Sequence, residues 1–164
     1  MSHGHMRKPS YIIAVLCACG LVRAASTNDL VVNMSAPPPN AELGFGWLEP
    51  ERNDNFSFVW MNHLDADVWV TLDAVSAAEV EIKAAHYYLD YRAQTLGLYV
   101  NGRFIREWVC RNQPEWRLDS YVAQVPDGIL KPGRNRITLR AGYRVGRKDR
   151  ELAIAVNSIA IRLR

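Results

Sequence analysis

The chain has 164 residues and a formal net charge of +3, the length of one ordinary domain. The charge is uneven: residues 1–100 carry 6 basic and 11 acidic groups, whereas residues 101–164 carry 14 basic and 6 acidic groups. The basic half does not point to nucleic acid, because its arginines are spaced through alternating strands and no recognition helix or nucleic-acid motif accompanies them.

In chain order, the first signal is a leader. Arg7-Lys8 precedes the uncharged run Tyr11 to Val22, and Arg23-Ala-Ala-Ser26 then supplies small residues, the pattern of a secretory signal peptide over residues 1–25. Twelve residues rising ~1.5 Å each fall short of a ~30 Å hydrocarbon core, so a membrane-spanning helix is the poorer reading. A different anchor stands beside this reading: Leu16-Cys17-Ala18-Cys19 loosely resembles a lipoprotein processing box, with Cys19 as the acylated residue. The membrane would then be met only through the leader or that lipid. Either way the expected location is extracytoplasmic: periplasmic, cell-surface or secreted. Cleavage leaves Cys110 as the single thiol, so the mature domain forms no internal disulfide and relies on its core.

Residues 26–42 contain Pro37-Pro38-Pro39, which cannot be helical, and read as an extended Pro-rich linker to a domain over 43–164. From there period-two patterns dominate. Val68, Val70 and Leu72 share one face, as do Val80, Ile82 and Ala84, with Glu79, Glu81 and Lys83 toward water. Leu96, Leu98 and Val100 align just before Asn101-Gly102, a pair suited to the positive φ angles of a two-residue hairpin. Ile137 and Leu139 point inward while Arg136 and Arg140 point outward. In the last stretch Leu152, Ile154 and Val156 are in step, then Ile159, Ile161 and Leu163; the slip at Asn157-Ser158 predicts a bulge that flips the register. Val125-Pro-Asp-Gly128 and Lys131-Pro-Gly-Arg134 are turn chemistry. No segment sustains helical spacing. Short strands at roughly ten-residue spacing predict an all-β fold, an antiparallel β-sandwich of jelly-roll type.

Five tryptophans and seven tyrosines are many for this length, and aromatic faces stack on sugar rings. Trp69 is out of phase with its inward neighbours, Trp116 lies in a predicted loop, and Tyr88 and Tyr91 sit beside Tyr87 in a tyrosine-rich segment; most aromatics of a sandwich nonetheless pack its core and ends. Arg136, Arg140, Arg162 and Arg164 all oppose the apolar sides of their strands; sharing one sheet, they would form a basic stripe suited to an acidic glycan. Loop acids such as Glu49, Glu51, Asp54, Asp65, Asp67 and Asp90 raise glycoside hydrolysis, which needs two carboxylates across a bond, but loop acids are usually solvated. No Gly-x-Ser-x-Gly motif, phosphate-cradling loop or zinc-ligand spacing occurs, so no catalytic residue is assigned and no enzyme is expected. Cys110, between Val109 and Arg111, is expected to be buried rather than reactive.

The hairpin "LYVNGRFI", Trp116, "VPDGILKPGRNRITL" and "RELAIAVNSIAIRL" together resemble the galactose-binding-like β-sandwich found in carbohydrate-binding modules and in accessory domains of bacterial envelope glycan proteins. The resemblance runs from about Gly44 to Arg164 and is carried by these turn and strand motifs. It implies non-catalytic binding of a polysaccharide or other glycan; phase, loop position and outward charge make Trp69, Trp116, Tyr88, Tyr91, Arg140 and Arg162 the candidate ligand residues. It also implies a closing contact in which Gly44 to Trp47 starts near the final strand and Arg150, at least partly buried, pairs with Glu49 or Glu51. A structural calcium is common in such folds, and no residues are assigned to it here. The rival reading is a structural or protein-interaction domain of the cell envelope with no sugar site.

Overall fold

The computed structural model describes residues 29–73, 76–86, 92–110 and 116–164; the leader, Tyr88 and Tyr91 lie outside them. The described residues form no helix. Thirteen strands run in chain order: β1 (Leu30–Asn33), β2 (Ala41–Leu43), β3 (Glu51–Arg52), β4 (Ser57–Trp60), β5 (Asp65–Leu72), β6 (Ala78–His86), β7 (Thr95–Val100), β8 (Arg103–Val109), β9 (Asp119–Val125), β10 (Gly133–Ala141), β11 (Val145–Arg147), β12 (Arg150–Leu152) and β13 (Ile154–Leu163). One sheet has the order β3-β4-β13-β6-β9, with β1 also on β13; the other is β2-β5-β10-β7-β8; β11 and β12 form a separate ribbon. All pairings are antiparallel, as the alternating patterns require. The fold is an all-β sandwich.

The two sheets pack their apolar faces together. Val68, Val70 and Leu72 of β5, Val80, Ile82 and Ala84 of β6, Leu96, Leu98 and Val100 of β7, and Ile137 and Leu139 of β10 all enter one core. The register slip in β13 falls between Val156 and Ser158, so Ile154, Val156, Ile159 and Ile161 reach that same core from both sides of the bulge. A smaller second cluster lies outside the six-stranded sheet, where Phe58, Trp60, Ala85, Leu152 and Ala155 are buried together.

Two sequence boundaries change. The segment expected as a linker contains β1, which pairs with β13 from Leu30↔Ile161 to Asn33↔Ser158, and Val32 of β1 and Met34 just after it are fully buried. The proline run therefore crosses from one sheet to the other inside the domain, where Ala41 N donates to Pro38 O at 2.9 Å. A stiff turn and a linker have the same composition, and only the pairing of Leu30–Asn33 separates them. Gly44 to Trp47 does not start near the final strand; it runs beside β5, with Asp67 N donating to Phe45 O at 2.9 Å and Trp47 bridging Met61. Gly46 is required there: its φ is +92°, and an added Cβ would lie 2.3 Å from the Asp65 carbonyl oxygen.

At the β7–β8 hairpin, Asn101 and Gly102 take φ of 52° and 80°, both left-handed, as a tight reversal demands. Asn101 also ties the hairpin to the fold: its amide donates to Ile129 O at 2.9 Å and to Asn135 Oδ1 at 2.8 Å, and its own Oδ1 accepts from Arg136 N at 2.9 Å. Asn135, 0% exposed, in turn donates to Lys131 O and Gly133 O and accepts from Lys131 N. The turn chemistry of the sequence is thus a buried polar junction that fixes where β10 begins.

Candidate functional site

The outer face of the five-stranded sheet carries the candidate site. Because alternate residues face outward, the strand registers line these side chains up in rows across the sheet. Trp69 of β5 lies opposite Glu42 of β2 and Arg136 of β10. Asp67 lies opposite Thr138, which lies opposite Tyr99, which lies opposite Phe104. Asp65 lies opposite Arg140, which faces Gly97. A depression of about 380 Å³ sits on this face, lined by Phe45, Asp65, Asp67, Tyr99, Arg136 and Arg140 among others, and a smaller one of about 80 Å³ lies beside Trp69 and Arg134. The larger is within the range of small-ligand sites, ~300–1,000 Å³.

Its polar groups fall into two kinds. Arg140 is held by Asp65 in a two-point pair, Nε to Oδ1 at 2.6 Å and Nη2 to Oδ2 at 2.9 Å, and lies over the Tyr99 ring with its Nη1 donating to the phenol at 3.3 Å. The Asp65 bond and charge raise the pKa of the guanidinium, which stays cationic. Asp67 Oδ1 accepts from Thr138 Oγ1 at 2.6 Å, while Oδ2 has no partner among the described residues. Arg136 has no carboxylate partner among the described residues either; its guanidinium stands 5.9 Å from the Trp69 ring centre. The site therefore offers one uncommitted acceptor and one uncommitted cationic donor. Asp65 and Asp67 do not form the free acid pair that glycoside hydrolysis needs, since Arg140 holds the first.

Of the sequence candidates, Trp69 and Arg140 come together on this face. Trp69 is not a bare platform: Arg134 lies 4.3 Å over its ring, held by Glu42 at 3.1 Å, and Gly44 packs against its indole nitrogen edge. Trp116 is elsewhere. It packs against Phe58 and Trp60 with ring centres at 5.4 and 5.2 Å, as the lid of the second cluster. Arg162 is on the other sheet, bonded to Glu79 at 3.2 Å and Glu81 at 2.6 Å, and Arg164 bonds Glu79 at 2.6 Å. The expected four-arginine stripe is therefore wrong: Arg136 and Arg140 project from β10, Arg162 and Arg164 from the end of β13, on opposite faces of the sandwich. Inward–outward phase places each arginine within its own sheet but carries no information about which sheet that is.

The closing pair is present: Arg150 bonds Glu51, one of the two expected acids, and at 43% side-chain exposure it is partly buried. Cys110 is buried as expected; burial pushes its thiol up to about 11, the Tyr121 hydroxyl offsetting only part of that rise. Among the described residues no group of three or more His, Cys, Asp or Glu side chains is placed to hold a metal ion.

Sequence reasoning missed Tyr99, Phe104 and Phe45. Tyr99 and Phe104 flank the Asn101-Gly102 turn, and their outward phase follows from the inward phase of Leu98 and Val100. Phe45 carried no such signal, because it lies between strands.

No family model and no curated protein matches the sequence. Solved structures do match the fold. A family 35 carbohydrate binding module from Clostridium thermocellum superposes with a TM-score of 0.55 at 17% identity, over 80% of this chain and 97% of that chain. A family 35 module from an environmental isolate gives 0.53 at 15%, over 80% and 90%. The CBM35 from Cellvibrio japonicus Abf62 gives 0.50 at 16%, over 81% and 91%. The chain thus shares the β-sandwich fold of these modules.

Proposed function

We propose that the protein is a non-catalytic carbohydrate-binding module, and that it binds a polysaccharide on the outer face of its five-stranded sheet. The observation that carries this reading is the depression there, where exposed aromatics border an uncommitted acceptor, Asp67, and an uncommitted donor, Arg136. Sugars need that combination: apolar ring faces to stack and hydroxyls to order. The fold likeness to modules named for carbohydrate binding supports the same reading. The proposal includes an exported protein whose leader is removed or lipidated, so that the module meets glycan outside the cytoplasm; N-terminal sequencing of the mature chain tests that part.

The rival, a protein-interaction domain, calls for a flat, apolar, unguarded sheet edge. β8 ends the five-stranded sheet, and it carries Arg103, Arg106, Glu107 and a register break opposite Leu98 and Tyr99, devices that blunt an edge.

The test is a glycan array followed by titration. Selective binding that Asp67→Ala or Arg136→Ala weakens at least tenfold, with folding intact, supports the site. Binding lost in Trp116→Ala but kept in both of those variants moves the site to the second cluster. Silence across neutral and acidic glycans overturns the reading.

A further inference from the structure

The direction of the depression follows from the rows of side chains that border it. Along β10 the outward residues that border the depression are Arg136, Thr138 and Arg140, with Arg134 one step beyond. Arg136 and Arg140 stand in tall rows, with Trp69 and with Asp65; the middle row has only Thr138 and Asp67 at its centre. Four residues of strand separate the tall rows by about 14 Å. The depression accordingly lies over the low row, lined by Phe45, Asp67, Thr138 and Tyr99 across the strands, with Arg136 on one side and Asp65 and Arg140 on the other.

Tyr99 stands in that row and would block it, but it leans aside. Arg140 covers its ring at 4.8 Å, and the neighbouring outward position is Gly97, where an added Cβ would come within 3.4 Å of the Tyr99 ring. Gly97 thus gives the tyrosine room to lie toward the Arg140 row. At the far end of the row Phe104 is 59% exposed, and at the near end Phe45 is equally exposed. From the β2 side, where Phe45 sits, to β8 are four interstrand steps of about 4.8 Å, or about 19 Å.

We infer, on the basis of the carbohydrate reading above, that this depression takes an internal stretch of a linear polysaccharide laid across the strands, with Phe45 and Phe104 as its two outer stacking platforms and Asp67, Thr138 and Arg136 ordering hydroxyls between them. A span of that length receives several pyranose rings. The tall rows stand beside the depression and not across its two ends, so no terminal sugar residue is singled out for recognition.

The experiment is calorimetric titration of the purified protein with xylo-, manno- and cello-oligosaccharides of one to six units, free and with the reducing end coupled to a bulky tag. The expected result is affinity that climbs at least tenfold from dimer to hexamer in the matching series and is indifferent to the tag. Phe45→Ala and Phe104→Ala should each flatten that climb, a loss of about tenfold for the hexamer. Equal affinity for dimer and hexamer, or loss of binding on tagging the end, overturns the inference while leaving carbohydrate binding in place. If neither these series nor the array shows any binding, the functional reading falls and the inference with it.

Discussion

The two outer faces of the sandwich are made from the same residue types and reach opposite states. On the six-stranded sheet, Glu79 accepts from Gln124, Arg162 and Arg164, and Glu81 accepts from Ser120 and Arg162, so both carboxylates of β6 are bonded to polar groups of β9 and to arginines at the end of β13. On the five-stranded sheet, Asp65 with Arg140 and Glu42 with Arg134 are similarly paired, but Asp67 and Arg136 keep free valence beside exposed aromatic rings. Counting arginines and acids therefore does not separate the two faces. The distinguishing feature is which of them the register leaves unpaired, because an exposed pair already has its partner and adds little.

The largest effect that would break this comparison comes from below the five-stranded face. Asn135→Ala removes the junction that joins the hairpin to β10 and leaves several buried groups unsatisfied, at ~1–3 kcal/mol each. We expect at least ~3 kcal/mol of destabilisation in urea unfolding and, where the chain still folds, disturbed glycan binding. Next comes the exchange of faces. Arg136→Ala should weaken glycan binding at least tenfold, and Arg162→Ala should leave it within twofold by titration. An equal loss in both variants would mean that bulk positive charge, not local geometry, drives binding.

Acid titration sharpens the contrast further. Hydrogen bonding from Gln124, then from Arg162, holds Glu79 below its ordinary value of 4.5, and Ser120 and Arg162 do the same for Glu81. A lowered folded-state pKa contributes stability that is fully present above the unfolded value and lost as the pH falls through the folded one. Stability should thus decline below about pH 4.5, and Glu79→Gln with Glu81→Gln should flatten that part of a Tm-against-pH curve. The smallest effect is at the closing contact: Arg150→Ala should cost no more than ~1 kcal/mol, because both partners are partly exposed. Cys110, with its thiol pushed up to about 11, should resist alkylation in the native protein at neutral pH and react once unfolded.

Much of the fold was legible because a buried face imposes period two. Val80, Ile82 and Ala84, the Asn101-Gly102 reversal and the slip at Asn157-Ser158 were each readable in isolation. What was not readable depends on pairing between distant strands. Leu30–Asn33 looks like the tail of a linker until Ile161 is beside it, and Arg162 looks like Arg140 until Glu81 is beside it. Half of the site was available from phase alone, through Trp69 and Arg140. Trp116 misled because a loop tryptophan beside a second apolar cluster has the same local sequence as one facing solvent.

The bulge in β13 has a consequence for how this chain tolerates insertion and deletion. Val156 and Ile159 both enter the core only because the pairing with β6 skips a step between Val156 and Ser158. Loss of one residue there restores strict alternation and turns either Ile154 and Val156 or Ile159 and Ile161 away from the core between the sheets. Side-chain changes at Asn157 leave the count intact and forfeit mainly the bond to Ser57 O at 2.8 Å. A library of variants should therefore accept many amino acids at position 157 and almost no change in length.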